Sequence, residues 1–338
     1  MTEPTDAQSP WPQPYGAPPS GPRPPAAEPS AAGHQDPLPR PGGDPDLTAT
    51  AGTPGTEYLE AIGDQVTGPD VAMATVAQQE LDDAGRGYGL GRLAELAVWW
   101  AQVSGDVRTG RAREVVLVRP APRATATATI PRDPAPVRTL ALDPPADPSG
   151  AVAWGIATAD ALVDAGTQLI LVSAPDLIAS RVLAAQLMGL DAVEANGWPS
   201  DYGVDDQAWM EQVTAIRDGL RGVKGLRGRP VELLQALDSP VLAAATGLLL
   251  RSAARRTPAL LDGAGASAAA LLAQRLSPYG RDWWQVGHLS DHPLHERCLS
   301  SLRLRALTRL GMTAEDGTGA LLGLGVLDLA AELLPDAG

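Results

Sequence analysis

Two adjacent carboxylates, Glu315 and Asp316, are the residues of this chain best placed to do chemistry. They precede Gly317-Thr318-Gly319, and an apolar helical pattern follows that run. Because glycine has no Cβ, Gly317 and Gly319 are expected to let the backbone approach a ligand closely. The start of the following helix is expected to offer free N–H groups, which attract anions. This arrangement fits a general base beside a phosphate-bearing substrate, and it also fits an acidic N-cap on a helix.

A second candidate is the pair Asp262-Gly263, which follows a short apolar run and precedes a helix rich in small residues. This order predicts that Asp262 lies at the carboxyl end of a strand, where open α/β sheets bind their ligands. The alternative is that Asp262 is the N-cap of the following helix.

Three histidines, His288, His292 and His295, lie close together and suggest a metal site. Pro293 interrupts the run, so no single helix aligns all three side chains. We therefore expect neither a metal nor another cofactor here.

The elements around these residues alternate between strands and helices. Short apolar runs predict strands at residues 115–118, 137–142 and 168–172. Helical patterns cover residues 57–84, 90–103, 151–165, 182–190, 207–220, 230–237, 240–256 and 320–334. The helix–strand–helix order of residues 253–278 implies a parallel sheet with helices on its faces.

Composition narrows the classes of function. The formal net charge is −14 and the pI is about 4.7, which argues against a general nucleic-acid binder because no basic surplus is present. Cys298 is the only cysteine, so no intrachain disulfide forms, as is usual in the cytoplasm. Neither a membrane-spanning run nor a signal peptide is expected. Residues 1–55 are rich in Pro, Ala and Gly and predict a disordered tail before a folded domain of residues 56–338.

The segment from His295 to Ala320 resembles the C-terminal segment of the nicotinate-nucleotide:dimethylbenzimidazole phosphoribosyltransferase family, enzymes of cobalamin biosynthesis. That family ends the segment in RLGEGTGA or RLGEGSGA, and residues 313–320 here read TAEDGTGA. Asp316 holds the position of the family glutamate, the proposed base that deprotonates the benzimidazole, and Glu315 replaces a glycine. The resemblance thus implies a catalytic role for Asp316 with Glu315, and substrate contacts from Gly317, Thr318 and Gly319.

Two further motifs extend the resemblance. The family carries VLDGFISTAAALLA where this chain has Asp262 and Gly263, and HxSxExGH where it has Ser290 between two retained histidines. The resemblance implies that Asp262, Gly263 and Ser290 contact the substrate.

The main departure falls on the phosphate loop of the family, GEMGIGNTT. The aligned residues 173–181 read SAPDLIASR and retain no glycine. Pro175 removes an amide donor and Asp176 repels a phosphate, whereas Ser180 and Arg181 could compensate in part.

Other ligand positions differ as well. Gln212 replaces a family lysine that reaches the phosphate, and the family DHGV segment is absent after the strand at 115–118. The chain is shortened around residues 119–150. The residues that build the fold are thus better retained than the residues that bind the ligand. A folded core tolerates the exchange of apolar residues, whereas a phosphate site does not tolerate the loss of its hydrogen-bond donors.

The resemblance implies an α/β fold with three layers, in which a mostly parallel sheet carries helices on both faces. A small helical subdomain is built from the two ends of the core, and the protein is a homodimer. Its substrates would be nicotinate mononucleotide and a benzimidazole-type base, with neither nucleic acid nor membrane as a partner. The alternative is a catalytically degenerate relative that binds a nucleotide, a base or a protein partner.

Overall fold

A six-stranded parallel sheet organises the fold, with the strands in the order β2-β1-β3-β4-β5-β6. The computed structural model describes residues 56–86, 88–108, 110–112, 114–120, 137–198 and 205–334. The predicted tail, residues 1–55, lies outside these ranges. The strands are β1 (Val115–Arg119), β2 (Val137–Ala141), β3 (Leu169–Ser173), β4 (Ala259–Asp262), β5 (Trp284–His288) and β6 (Ala306–Thr308). All three predicted strands are confirmed, and β1, β3 and β4 are buried as the central strands of a parallel sheet are.

Helices connect the strands and cover the sheet. Those described are α1 (Thr56–Gln65), α2 (Val71–Asp83), α3 (Arg92–Ser104), α4 (Pro148–Asp164), α5 (Leu177–Met188), α6 (Ala192–Asn196), α7 (Asp206–Gly222), α8 (Pro230–Leu237), α9 (Pro240–Ala254), α10 (Gly263–Leu276), α11 (Pro293–Leu302) and α12 (Thr318–Ala331). None of the described helices is both long and apolar enough to cross a membrane.

Strand order determines which face each helix covers. The connections from β2 to β3, β3 to β4, β4 to β5 and β5 to β6 all advance in one direction along the sheet. Right-handed crossovers that advance in one direction place their helices on one face, which therefore carries α4 to α11. The opposite face is covered by α12, which contacts β3 to β6, and α3 packs on α12. The expected three-layer α/β fold is confirmed.

The two ends of the described chain pack together. Helix α2 packs on α3 and α3 packs on α12, so an N-terminal helical layer lies against the C-terminal helix. The Arg86 guanidinium donates to the Leu333 carbonyl at 2.9 Å, and the Trp99 indole donates to the Asp282 carbonyl at 2.9 Å.

The larger differences from the sequence expectation concern the helical pattern over 57–84 and the start of α5. The pattern over 57–84 is two helices, because Pro69 removes an amide donor and Asp70 caps α2 by accepting from the Ala72 amide at 2.8 Å. Helix α5 begins at Leu177 rather than at Val182.

Candidate active site

The loop formed by residues 313–317, called here the carboxylate loop, crosses the carboxyl edge of the sheet. The Ser173 hydroxyl, at the end of β3, donates to the Glu315 carbonyl at 2.8 Å. The Arg119 guanidinium, at the end of β1, donates through Nη1 to the Asp316 carbonyl at 2.9 Å. Two neighbouring strands thus hold consecutive carbonyls of the loop that carries both predicted catalytic carboxylates.

Asp262 holds the same loop from β4. Its Oδ2 accepts the Gly317 amide at 2.7 Å, and the side chain is buried. Burial raises the pKa of Asp262 to about 7, and the charges of Glu315 and Asp316 act in the same direction. Hydrogen bonds from the Gly317 and Ala320 amides oppose the rise. The predicted position of Asp262 at a strand end is confirmed, and its hydrogen bond with Gly317 anchors the carboxylate loop to β4.

Glu315 turns its side chain toward the start of α10. Its Oε1 accepts the Ala264 amide at 2.7 Å and its Oε2 accepts the Gly265 amide at 3.2 Å. Burial raises the pKa of Glu315, while these two amides and the charge of Arg181 oppose the rise. Asp262 stands at the N-cap position of α10, but its side chain makes no capping hydrogen bond there. The capping carboxylate of α10 is therefore that of Glu315.

Asp316 is half-buried and lies one residue before Gly317, which is the N-cap of α12. Its Oδ1 accepts the Thr318 amide at 3.0 Å, so Asp316 pairs with the first amide of the helix without being the N-cap that the alternative interpretation placed in this acidic pair. Its Oδ2 accepts no hydrogen bond from the residues that the structure describes. The expectation of free amides at this helix start is wrong for Gly317 and Thr318, because Asp262 and Asp316 already accept from them.

The glycines of the site make room for protein atoms. A Cβ on Gly319 would lie 2.3 Å from Oδ1 of Asp262, and a Cβ on Gly317 would lie 2.8 Å from the Leu117 side chain. A Cβ on Gly263 would lie 2.4 Å from Cγ of Glu315. These glycines let the carboxylate loop settle onto the strand ends, and ligand contact through them stays a prediction.

Ser290 is held by a buried histidine. The Ser290 amide donates to Nδ1 of His295 at 3.0 Å, and the Ser290 hydroxyl lies 3.1 Å from the same nitrogen. Because Nδ1 accepts, the ring proton is on Nε2, which lies 3.1 Å from the Ser267 hydroxyl. Burial lowers the pKa of His295 to about 3, so the ring stays neutral.

The other two histidines have separate roles. His288 accepts the Leu310 amide through Nε2 at 2.9 Å, and burial lowers its pKa. His292 is the N-cap of α11 and accepts the Leu294 amide at 3.2 Å. Within the described ranges, no group of three or more His, Cys, Asp or Glu residues could hold a metal ion.

Comparison with known proteins connects this geometry to a family. A family model described as phosphoribosyltransferase matches residues 145–337, more than half of the chain. Nicotinate-nucleotide–dimethylbenzimidazole phosphoribosyltransferase of Streptomyces avermitilis is 41% identical over 182 residues, which are 53% of this chain and 48% of that protein. The protein of the same name from Corynebacterium glutamicum is 38% identical over 183 residues, 53% of this chain and 50% of that protein.

The chain belongs to the nicotinate-nucleotide–dimethylbenzimidazole phosphoribosyltransferase family. It spans about half the length of the curated relatives that it matches. A crystal structure of nicotinate-nucleotide–dimethylbenzimidazole phosphoribosyltransferase from Thermus thermophilus shares the fold, with a TM-score of 0.62 at 22% identity. The alignment covers 79% of this chain and 97% of that one.

In this member of the phosphoribosyltransferase family, the segment aligned with the phosphate loop is largely helical. Asp176 caps α5 by accepting the Ala179 amide at 3.1 Å, and it also accepts the Ser239 hydroxyl at 2.6 Å. Ser180 is buried inside α5, where its hydroxyl lies 3.5 Å from the Leu177 carbonyl. Ser180 thus belongs to the helix, and none of the described hydrogen bonds joins it to the carboxylate loop.

Arg181 is the cation of this segment, and it is buried. Its Nη1 donates to Gln212 at 2.9 Å and to the side-chain oxygen of Asn196. Its charge acts on Glu315. The residue at the position of the family lysine, Gln212, therefore contacts Arg181.

Sequence reasoning missed two residues of the site, Ser173 and Arg119. Both stand at the last position of a buried strand, and that position was the available signal. Two cavities that each contain several arginines, of about 570 and 160 Å³, lie at the opposite edge of the sheet, before β5 and β6.

Proposed function

We propose that this chain transfers phosphoribose from nicotinate mononucleotide to a benzimidazole-type base in cobalamin lower-ligand assembly. Membership of the family supports the reaction class. The observation that carries the proposal is the carboxylate of Asp316, which is held at the carboxyl edge with Oδ2 free of hydrogen bonds from the described residues. A fixed carboxylate with one open oxygen is what a general base requires.

The reaction follows from that placement. Oδ2 of Asp316 takes the N–H proton of the benzimidazole, and the ring nitrogen forms a bond to C1′ of the ribose. The bond between C1′ and the nicotinate nitrogen breaks, and nicotinate leaves with its electron pair. The hydrogen bonds from Ser173 and Arg119 hold the carboxylate loop in place while the proton is transferred.

Asp316→Asn tests this role, because the amide oxygen can still accept the Thr318 amide while the base is lost. We expect kcat for the ribazole phosphate product, measured by liquid chromatography, to fall by about 100-fold or more. Asp70→Asn makes the same chemical change at the cap of α2 and should leave kcat unchanged. An Asp316→Asn enzyme with the wild-type rate would refute the assignment.

A second candidate function is a catalytically degenerate relative that binds a nucleotide, a base or a protein partner. Carboxylates cover the starts of three helices at or beside the carboxyl edge: Asp176 on α5, Glu315 on α10 and Asp316 on α12. These positions would otherwise bind a phosphate. Nucleotide binding in calorimetry without any transfer product would favour this candidate.

The proposal extends to the whole protein. We place it in the cytoplasm as a homodimer that acts on small molecules, with neither nucleic acid nor membrane as a partner. The proposed catalytic domain is residues 56–338, which follow the Pro-, Ala- and Gly-rich residues 1–55. These points depend on family membership and on composition.

A further inference from the structure

Arg119 is a cation without a carboxylate partner among the residues that the structure describes. Its Nη1 donates to the Asp316 carbonyl at 2.9 Å, a neutral acceptor. Its Nε is buried and has no hydrogen-bond partner in the described ranges. A guanidinium carries five N–H donors, and leaving a buried donor such as Nε without a hydrogen bond is unfavourable. Such a group is suited to an anion that arrives from outside the chain.

Arg119 lies at the place in the sheet where proteins of this topology bind their ligands. In the sheet, β2 lies on one side of β1 and β3 lies on the other. The connection that follows β1 leads to β2, and the connection that follows β3 leads in the opposite direction, to β4. The two connections therefore diverge between β1 and β3. Open α/β sheets bind ligands in the crevice at the carboxyl ends of such strands. Arg119 ends β1, Ser173 ends β3, and the carboxylate loop crosses the two ends.

Side-chain carboxylates already occupy part of each helix start at this edge. One amide in the first turn of α5, two in that of α10 and the first of α12 donate to them. Arg181 is buried and donates to Gln212 and Asn196. Arg309 follows β6, which is at the far end of the sheet from the crevice.

We propose that Arg119 binds an oxyanion of the nucleotide substrate, in place of the glycine-rich phosphate loop that this chain lacks. The identity of the ligand rests on the proposed function, whereas the anion site itself rests on Arg119 and on its position at the carboxyl ends of β1 and β3. Nicotinate mononucleotide offers two oxyanions, the phosphate and the ring carboxylate. Both match the planar fork of a guanidinium.

The test measures binding by calorimetry for wild-type protein and Arg119→Met, which keeps the apolar stem and removes the charge. The probes are nicotinate mononucleotide, nicotinamide mononucleotide without the carboxylate, nicotinate riboside without the phosphate, and inorganic phosphate. We expect Arg119→Met to weaken nicotinate mononucleotide about 10- to 100-fold. Arg119→Lys should recover part of the loss, and Arg309→Met should bind as wild type does.

The analogues separate the two oxyanions. If Arg119 binds the phosphate, the substitution leaves nicotinate riboside unaffected and abolishes binding of inorganic phosphate. If it binds the carboxylate, the substitution leaves nicotinamide mononucleotide unaffected. An equal loss of binding for nicotinate mononucleotide, nicotinamide mononucleotide and nicotinate riboside would mean that Arg119 only holds the loop, and it would overturn the inference.

The inference and the proposed function can fail separately. Arg119-dependent binding of inorganic phosphate or nucleotide without transfer product would keep the anion site and reject the transferase. Transfer product with unchanged binding by Arg119→Met would keep the transferase and reject the anion site. A wild-type protein that binds none of the four probes would reject the anion site as well.

Discussion

At the scale of single residues, each carboxylate of the site accepts at least one backbone amide and so has a structural role. Glu315 covers the start of α10, and Asp316 covers the start of α12. Asp262 accepts the amide that joins them to α12. Of these three, Asp316 alone combines half-exposure with an oxygen that accepts nothing from the described residues. That difference selects it as the base.

The buried carboxyl of Asp262 predicts a pH-dependent stability. Its pKa is raised to about 7, so the folded state holds a proton that the unfolded state releases near pH 3.8. Stability from this group is complete below pH 3.8 and is lost as the pH rises toward 7, with a slope of up to about 1.4 kcal/mol per pH unit. Asp262→Asn keeps an acceptor for the Gly317 amide and removes the titration.

Urea unfolding at a series of pH values between 4 and about 8 measures this effect. The wild type should lose stability relative to Asp262→Asn across that window. Parallel curves for the two proteins would show that Asp262 does not carry the proton. Glu315 titrates in the same direction in both proteins, so the difference isolates Asp262.

The sequence allowed the residue types of the site to be predicted, and it left their partners undetermined. The carboxylates, Asp262 and Ser290 were candidates from motif and spacing. The contact of Glu315 with α10 joins residues far apart in the chain, so no local pattern indicated it. Arg119 ends the strand after which the family has its DHGV segment, and no motif of this chain singles it out. Only the fold shows that Arg119 contacts Asp316.

At the scale of elements, helix α12 determines the shape of the site because it lies directly on β5. A Cβ on Gly287 would be 2.3 Å from the Gly319 carbonyl oxygen, and a Cβ on Gly323 would be 2.4 Å from Cα of Gly287. These glycines allow the helix and the strand to pack backbone against backbone. The carboxylate loop, which leads into α12, is thereby drawn onto the strand ends.

Gly319→Ala tests that packing. Its Cβ would lie 2.3 Å from Oδ1 of Asp262 and 2.8 Å from Cβ of His288, so the start of α12 must shift. We expect a loss of about 2–4 kcal/mol in the free energy of unfolding, measured in urea. Gly325→Ala is the matched control on the same helix, where nothing lies within 4 Å, and it should be neutral or stabilising by up to about 1 kcal/mol. Equal effects of the two substitutions would contradict the close contact.

Element boundaries followed from local signals in most of the chain. Pro230 and Pro240 start α8 and α9 as predicted, because proline suits the first turn of a helix. The sequence predicts the start of α5 at Val182, five residues too late, because the family has a loop at the position where Asp176 is the N-cap. The helical pattern over 57–84 is continuous in sequence, but Pro69 separates it into α1 and α2.

At the scale of the whole molecule, strand order gives the site its location. The connections diverge between β1 and β3, and the carboxylate loop crosses the carboxyl ends of these two strands. A parallel sheet was predictable from the alternation of helices and strands. The order β2-β1-β3 was not, because it depends on pairing between distant segments.

The homodimer is a prediction at this scale. Light scattering coupled to size-exclusion chromatography should give a mass of twice the 35.0 kDa of one chain. A mass of 35.0 kDa across a range of protein concentrations would show a monomer.

The most direct measurement is a crystal structure of the protein with nicotinate mononucleotide bound. We predict that the nucleotide lies at the carboxyl ends of β1 and β3, with an oxyanion on Arg119 and the ribose facing Asp316. A nucleotide found at the opposite edge, in the cavity lined by Arg275, Arg281 and Arg303, would contradict the proposed active site.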